Sequence, residues 1–125
     1  MKICLVGCGK MGSSLLEGWS LLSLINEILI IEPNPENIPK ELIRIKKFHF
    51  YSDLTKIEKS NVFDIIVLAV KPQVMKDIVI QLSKLNIKSN AWLSIAAGLP
   101  INFFENYLGH NQAIIITIPN TPSYI

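Results

Sequence analysis

Ile3-Cys4-Leu5-Val6-Gly7-Cys8-Gly9-Lys10-Met11-Gly12 opens the chain with a short apolar run that passes without a spacer into a G-x-G-x-x-G turn. Beyond it, Leu15, Leu16, Trp19 and Leu22 follow the i, i+3, i+4, i+7 spacing of an amphipathic helix, predicted from Met11 to about Leu24. A glycine turn of this kind is weak evidence alone, but between a strand and a helix each glycine acquires a task. Gly7 permits the tight turn, Gly9 removes a side chain where an anion must approach the backbone, and Gly12 lets the helix pack closely on the strand. The free N–H groups at the start of the helix then face the anion, and the helix dipole favours it.

The same alternation of short apolar runs and helix-period stretches continues to the end of the chain. Ile28 to Ile31 reads as a second strand that ends at Glu32 and is followed by Pro33, Asn34 and Pro35, where prolines halt regular structure. Glu36 to Lys47 fits either helix or loop, Phe48 to Tyr51 is a short third strand, and Ser52 or Asp53 caps a short helix after it. Asp64 to Val70 is continuous and β-branched, as expected of a strand buried on both faces of a parallel sheet. Pro72 then opens a helix with Val74, Ile78, Leu82 and Leu85 on its apolar face. Trp92 to Ala96 is the fifth strand, Pro100 opens a helix carrying Phe103, Phe104 and Leu108, and Ala113 to Ile118 is the sixth strand. The expected fold class is α/β, a Rossmann-type doubly wound parallel sheet of order 3-2-1-4-5-6, forming one domain over residues 1–125.

Composition narrows the classes of function. Half of the 125 residues are apolar and 18% are charged, which argues against disorder and for a sheet-containing globular core. The 12 basic and 10 acidic residues are scattered, so no basic stripe points to nucleic acid or to an anionic membrane. The longest apolar run, Ile65 to Val70, is far below the roughly 18 residues that span a bilayer, and the residues after Lys2 make no signal peptide. A cytoplasmic location is expected. Cys4 and Cys8 lack the spacing and the histidines of a zinc site, and both are expected to be reduced thiols, Cys4 in the core and Cys8 in a loop. No metal site is expected. His49 and His110 have no acidic or nucleophilic neighbours in sequence and read as surface residues.

The turn from Gly7 through Cys8, Gly9, Lys10 and Met11 to Gly12 is therefore the expected seat of an NAD-type diphosphate. Glu32, 20 residues after Gly12 at the end of the second strand, is placed to accept hydrogen bonds from a ribose 2′-OH. A 2′-phosphate there would meet like charge with no arginine nearby, so NADH is favoured over NADPH. Asn34, in the loop just beyond, is grouped with the cofactor-binding residues, and Lys10 is kept as a member of the turn rather than as a phosphate ligand. Val70-Lys71-Pro72 and Ala96-Ala97-Gly98 follow the fourth and fifth strands, at the sheet edge where ligands of open α/β sheets bind. Small residues there leave room for the nicotinamide half.

Four segments together carry a family resemblance: Gly7 to Gly12, Leu68-Ala69-Val70-Lys71-Pro72-Gln73, Ser94-Ile95-Ala96-Ala97-Gly98, and Pro119-Asn120-Thr121-Pro122. In this order and spacing the chain resembles the N-terminal domain of the pyrroline-5-carboxylate reductases, which make the last step of proline synthesis. The resemblance implies hydride transfer from NADH or NADPH to the imine carbon of 1-pyrroline-5-carboxylate, giving L-proline. It implies that Val70, Lys71, Pro72, Ala96 and Ala97 line the cofactor, with Asn120 and Thr121 close to the substrate at the nicotinamide end. Ile116 departs from the pattern, standing where the family usually has an arginine, and Glu32 replaces a small or polar residue. The family also has a second, helical domain that forms the dimer and most of the imine pocket. Against that pattern the chain reads as truncated, and no catalytic residue is assigned.

The apolar sixth strand lies at a sheet edge and wants a cover, so a C-terminal partner or a second copy is expected. Two other readings stand beside the reductase: an inactive dinucleotide-binding module that needs a separate partner, and a deazaflavin-dependent NADP reductase-like domain. The segments at Ser94 to Gly98 and Pro119 to Pro122 favour proline synthesis over the latter.

Overall fold

Six parallel strands pair in the order β3-β2-β1-β4-β5-β6 in the computed structural model, which describes residues 1–117. The strands are β1 (Lys2–Val6), β2 (Glu27–Ile31), β3 (Phe48–Tyr51), β4 (Val62–Leu68), β5 (Lys88–Ser94) and β6 (Ile114–Ile116). Helix α1 (Lys10–Trp19) joins β1 to β2, α2 (Pro72–Lys84) joins β4 to β5, and α3 (Ile101–Leu108) joins β5 to β6. The fold is a Rossmann-type α/β sheet wound on both faces.

Side chains of period 2 send alternate residues of each central strand into two separate cores. Cys4, Val6, Leu29, Ile31, Ile66 and Leu68 pack with Met75, Val79 and Leu82 of α2 and Phe104 of α3. Ile3, Leu5, Ile28, Ile30 and Val67 pack with Leu16 of α1 on the other face. The strand order reverses direction between β1 and β4, whose ends align as Val6 beside Leu68. At such a switch point the connections leave toward opposite faces and open a crevice beyond the strand ends.

Several boundaries differ from those expected from sequence. Helix α1 stops at Trp19 rather than about Leu24, and Leu21, Leu22 and Leu24 are exposed. Gly18 weakens the last turn, the Ser20 hydroxyl bonds the Glu17 carbonyl at 2.6 Å, and the Lys47 ammonium bonds the carbonyls of Trp19 and Leu22, each at 2.9 Å. Helix α2 buries Met75, Val79 and Leu82; of the expected face, Leu82 is buried, Ile78 and Leu85 pack partly buried against the same core, and Val74 is exposed. Strand β4 begins earlier and ends at Leu68, releasing Ala69 and Val70 into the loop, while β5 is Lys88–Ser94 rather than Trp92 to Ala96. Its polar first half is held in register by backbone pairing, Lys88 opposite Val62 and Ser89 opposite Phe63. The ambiguous stretch resolves into 3-10 turns at Pro35–Asn37 and Lys40–Leu42. Asp53 is the cap of the turn Leu54–Lys56, its carboxylate accepting the Thr55 N–H at 2.9 Å.

Candidate functional site

The glycine turn is shaped by two close approaches and one opening. Gly7 has φ +98°, and a Cβ there would stand 3.0 Å from the Ala69 carbonyl group and from Val70 Cγ1. At Gly12 a Cβ would meet the Gly7 carbonyl oxygen at 2.6 Å, so only glycine lets α1 start this close to β1. Gly9 is different, because nothing lies within 4 Å of where its Cβ would be. Neither packing nor backbone conformation requires glycine there, and the open space is what a diphosphate resting on the backbone needs.

The first backbone bond of α1 runs from the Ser13 N–H to the Gly9 carbonyl at 2.8 Å. The N–H groups of Lys10, Met11 and Gly12 ahead of that bond remain for an external acceptor. The Cys8 N–H is already taken, donating to Glu32 Oε1 at 2.8 Å. The other oxygen of Glu32 accepts the Asn34 N–H at 2.9 Å, and the Glu32 N–H itself donates to the Tyr51 carbonyl. Glu32 is only 7% exposed, so this carboxylate is a fixed part of the loop rather than a solvated acid.

Cys8 is fully buried although it lies in the turn, and its Sγ stands 3.7 Å from the Ser13 hydroxyl. Burial raises its thiol pKa, the Glu32 carboxylate raises it further, and the hydrogen bond with Ser13 opposes both. Cys4, in the core, is pushed up to about 12 by burial. Both cysteines are free thiols.

Two clefts meet over the turn. One, of about 270 Å³, is lined by Gly7, Cys8, Gly9, Glu32 and Lys71 together with Asn37, Val74 and Ile78. The other, of about 330 Å³, is lined by Gly9, Lys10, Met11, Val70, Lys71, Pro72, Ile95, Ala96 and Ala97. Gly9, Ala69, Val70 and Lys71 belong to both, which makes a continuous trough across the ends of β2, β1, β4 and β5. A larger hollow of about 420 Å³ lies around Asn86, Lys88 and Trp92, at the opposite end of the strands from the glycine turn.

A family model described as NADP oxidoreductase, coenzyme F420-dependent, matches residues 2–98. The chain belongs to this family. Among its curated relatives, the pyrroline-5-carboxylate reductase of Escherichia coli (strain K12) is 31% identical over 126 residues, covering 99% of this chain and 46% of that protein. The pyrroline-5-carboxylate reductase of Pisum sativum is 32% identical over 123 residues, covering 96% of this chain and 43% of that protein. The chain thus spans less than half the length of these curated relatives. The solved pyrroline-5-carboxylate reductase of Coxiella burnetii superposes with a TM-score of 0.79 over 96% of this chain and 44% of that one, at 23% identity, a likeness of fold. The resemblance read from four short segments is therefore matched along nearly the whole chain.

Of the residues named from sequence, Gly7, Cys8, Gly9, Lys10, Met11, Glu32, Val70, Lys71, Pro72, Ala96 and Ala97 all line the trough. Gly12 lies beneath it as the helix contact. Asn34 is outside both linings, where its side-chain oxygen accepts the Glu36 N–H at 3.1 Å and caps a 3-10 turn. Asn120 and Thr121 lie outside the described residues. Asn37, Val74, Ile78 and Ile95 also line it and were not among the site residues expected from sequence. Val74 and Ile78 carried a legible signal, since they repeat at helical spacing, but that signal reads as core, whereas Val74 is exposed and Ile78 both packs against the core and lines the cleft. His110 proves to have an acidic neighbour, Glu105 at 3.1 Å, because the end of α3 folds back to bring it there.

Proposed function

We propose that this chain is the dinucleotide-binding part of a pyrroline-5-carboxylate reductase. The observation that carries the reading is the open face of Gly9 at the centre of a trough joining the ends of β2, β1, β4 and β5. The cradle fits a dinucleotide: free amides at Lys10, Met11 and Gly12 for the diphosphate, with Lys71 supplying positive charge from the facing loop. The Glu32 side takes the adenosine ribose, and the small residues Ala96 and Ala97 leave room for the nicotinamide. When bound, the reduced nicotinamide supplies a hydride to the imine carbon of 1-pyrroline-5-carboxylate, and a proton goes to the ring nitrogen to give L-proline.

Among the described residues, the nicotinamide-side cleft is lined by two titratable side chains, Lys10 and Lys71. Neither lysine is an acid placed beside a substrate, so on this reading the proton donor comes from outside the described residues, which fits a chain that spans under half of its curated relatives. The same observation supports a second reading, in which these residues form a binding module that catalyses nothing without its partner. The curated relatives favour either over the deazaflavin-dependent reading.

NADH is the favoured cofactor. A 2′-phosphate brought to about 4 Å from the Glu32 carboxylate is repelled by about 4 kcal/mol at an effective dielectric of ~20, before screening. A tenfold to hundredfold preference for NADH follows as an order of magnitude. Fluorescence titration of the chain with NADH and NADPH tests this, and equal affinity or tighter NADPH binding overturns it. Oxidation of NADH with 1-pyrroline-5-carboxylate, with and without a helical dimerisation domain, separates the enzyme from the inert module.

A further inference from the structure

An anion cradle gains nothing from a carboxylate beside it, yet Glu32 is buried at 7% exposure against the turn that forms the cradle. Burying that charge costs free energy unless donors meet it, and two backbone amides do, one from each of two loops. One oxygen holds the Cys8 N–H at 2.8 Å and the other holds the Asn34 N–H at 2.9 Å. Cys8 is itself fully buried, so without Glu32 its N–H would be left in the interior with no acceptor. From these contacts we infer that Glu32 is a positioning residue for the glycine turn, fixing the Gly7–Gly12 backbone before any nucleotide arrives and apart from any contact with a ribose.

The inference deepens the reading of the trough as a dinucleotide site and rests on it for its functional meaning. Its consequence is specific. If Glu32 served only to accept ribose hydroxyls, replacing it with serine would convert the site to NADPH. If it also holds the turn, the same replacement relieves repulsion but loosens the cradle, so NADH binding weakens and NADPH binding falls short of the affinity of wild type for NADH. A glutamine divides the two amides, because it has one acceptor oxygen: that oxygen turns to the buried Cys8 N–H, since the exposed Asn34 can donate to water instead, and its NH₂ group cannot accept the Asn34 N–H.

The test is residue-resolved amide hydrogen exchange on the nucleotide-free 125-residue chain, for wild type, Glu32→Ser and Glu32→Gln, each first checked for an unchanged far-ultraviolet circular dichroism spectrum. In Glu32→Ser the amides of Cys8 and its turn should exchange at least tenfold faster, with α2 and β4 unchanged. In Glu32→Gln, Cys8 should keep its protection while Asn34 loses it; should the serine variant not fold, this contrast decides alone. Unchanged exchange at Cys8 in the serine variant, or loss at Cys8 in the glutamine variant, overturns the inference. Titration adds a functional readout: Glu32→Ser should bind NADPH about tenfold more weakly than wild type binds NADH, and equal affinity refutes the positioning role. A wild type that prefers NADPH defeats the cofactor reading and leaves the exchange result standing.

Discussion

A methyl group added to Gly9 or to Gly12 meets opposite surroundings, and the pair separates folding from binding within one turn. At Gly12 it would lie 2.6 Å from the Gly7 carbonyl oxygen, so Gly12→Ala must push α1 away from β1. We expect a loss of about 1–3 kcal/mol, the usual range for overpacking, measured by urea unfolding. At Gly9 the space is open, so Gly9→Val should unfold close to wild type yet lose nucleotide binding in titration. Binding that survives in Gly9→Val would remove the diphosphate from this position. Cys4 makes a second prediction. Its thiol is raised from 9.0 to about 12 by burial, so between those values the native state keeps a proton that the unfolded state has lost. Stability from this group is complete below about pH 9 and falls as the pH rises toward 12, by at most about 1.4 kcal/mol per pH unit. Cys4→Ala should show a shallower decline than wild type over that window in alkaline denaturation series, and parallel slopes would contradict it. The roles of the glycines were legible because a G-x-G-x-x-G turn fixes backbone geometry locally. That Glu32 grips Cys8 was not, since the two meet only once β1 and β2 lie side by side.

Elements show where periodicity informs and where it misleads. The apolar repeat through Leu22 extends past the real end of α1, because a hydrophobic pattern has no way to register a C-cap supplied from elsewhere. That cap is Lys47, which lies just before β3 and reaches back to the carbonyls of Trp19 and Leu22, where a cation also suits the helix dipole. Lys47→Met should keep the stem and lose the cap, costing about 1 kcal/mol in chemical denaturation. An unchanged midpoint would mean solvent satisfies those carbonyls equally well. Strand β5 differs in the other direction: Lys88, Ser89 and Asn90 precede the strand expected from Trp92 to Ala96, but their backbone completes the ladder with β4. In α2 the repeat held at Ile78, Leu82 and Leu85 but omitted the buried Met75 and Val79 and included the exposed Val74, because a helix that borders both a core and a cleft carries apolar residues on both sides.

The whole molecule follows from the βα alternation, since right-handed crossovers leave few strand orders for such a chain and the observed order is the doubly wound one. The same topology leaves β6 at an edge, paired among the described residues only with β5, with Ile115 53% exposed. An uncharged isoleucine strand with free N–H and C=O groups along one side is a template for pairing with another strand. Charge is the usual defence of such edges and β6 has none, so the 125-residue chain should self-associate as its concentration rises. Ile115→Lys places an ammonium on the exposed side of that strand, where docking a second strand would have to desolvate it. Sedimentation velocity over a concentration series should show association in the wild-type chain and a shift toward monomer in Ile115→Lys. If the two sediment alike, contact between chains runs through some other surface. The leucines at 21, 22 and 24 are then the next to replace, because they are the other large apolar side chains left in solvent close together in sequence.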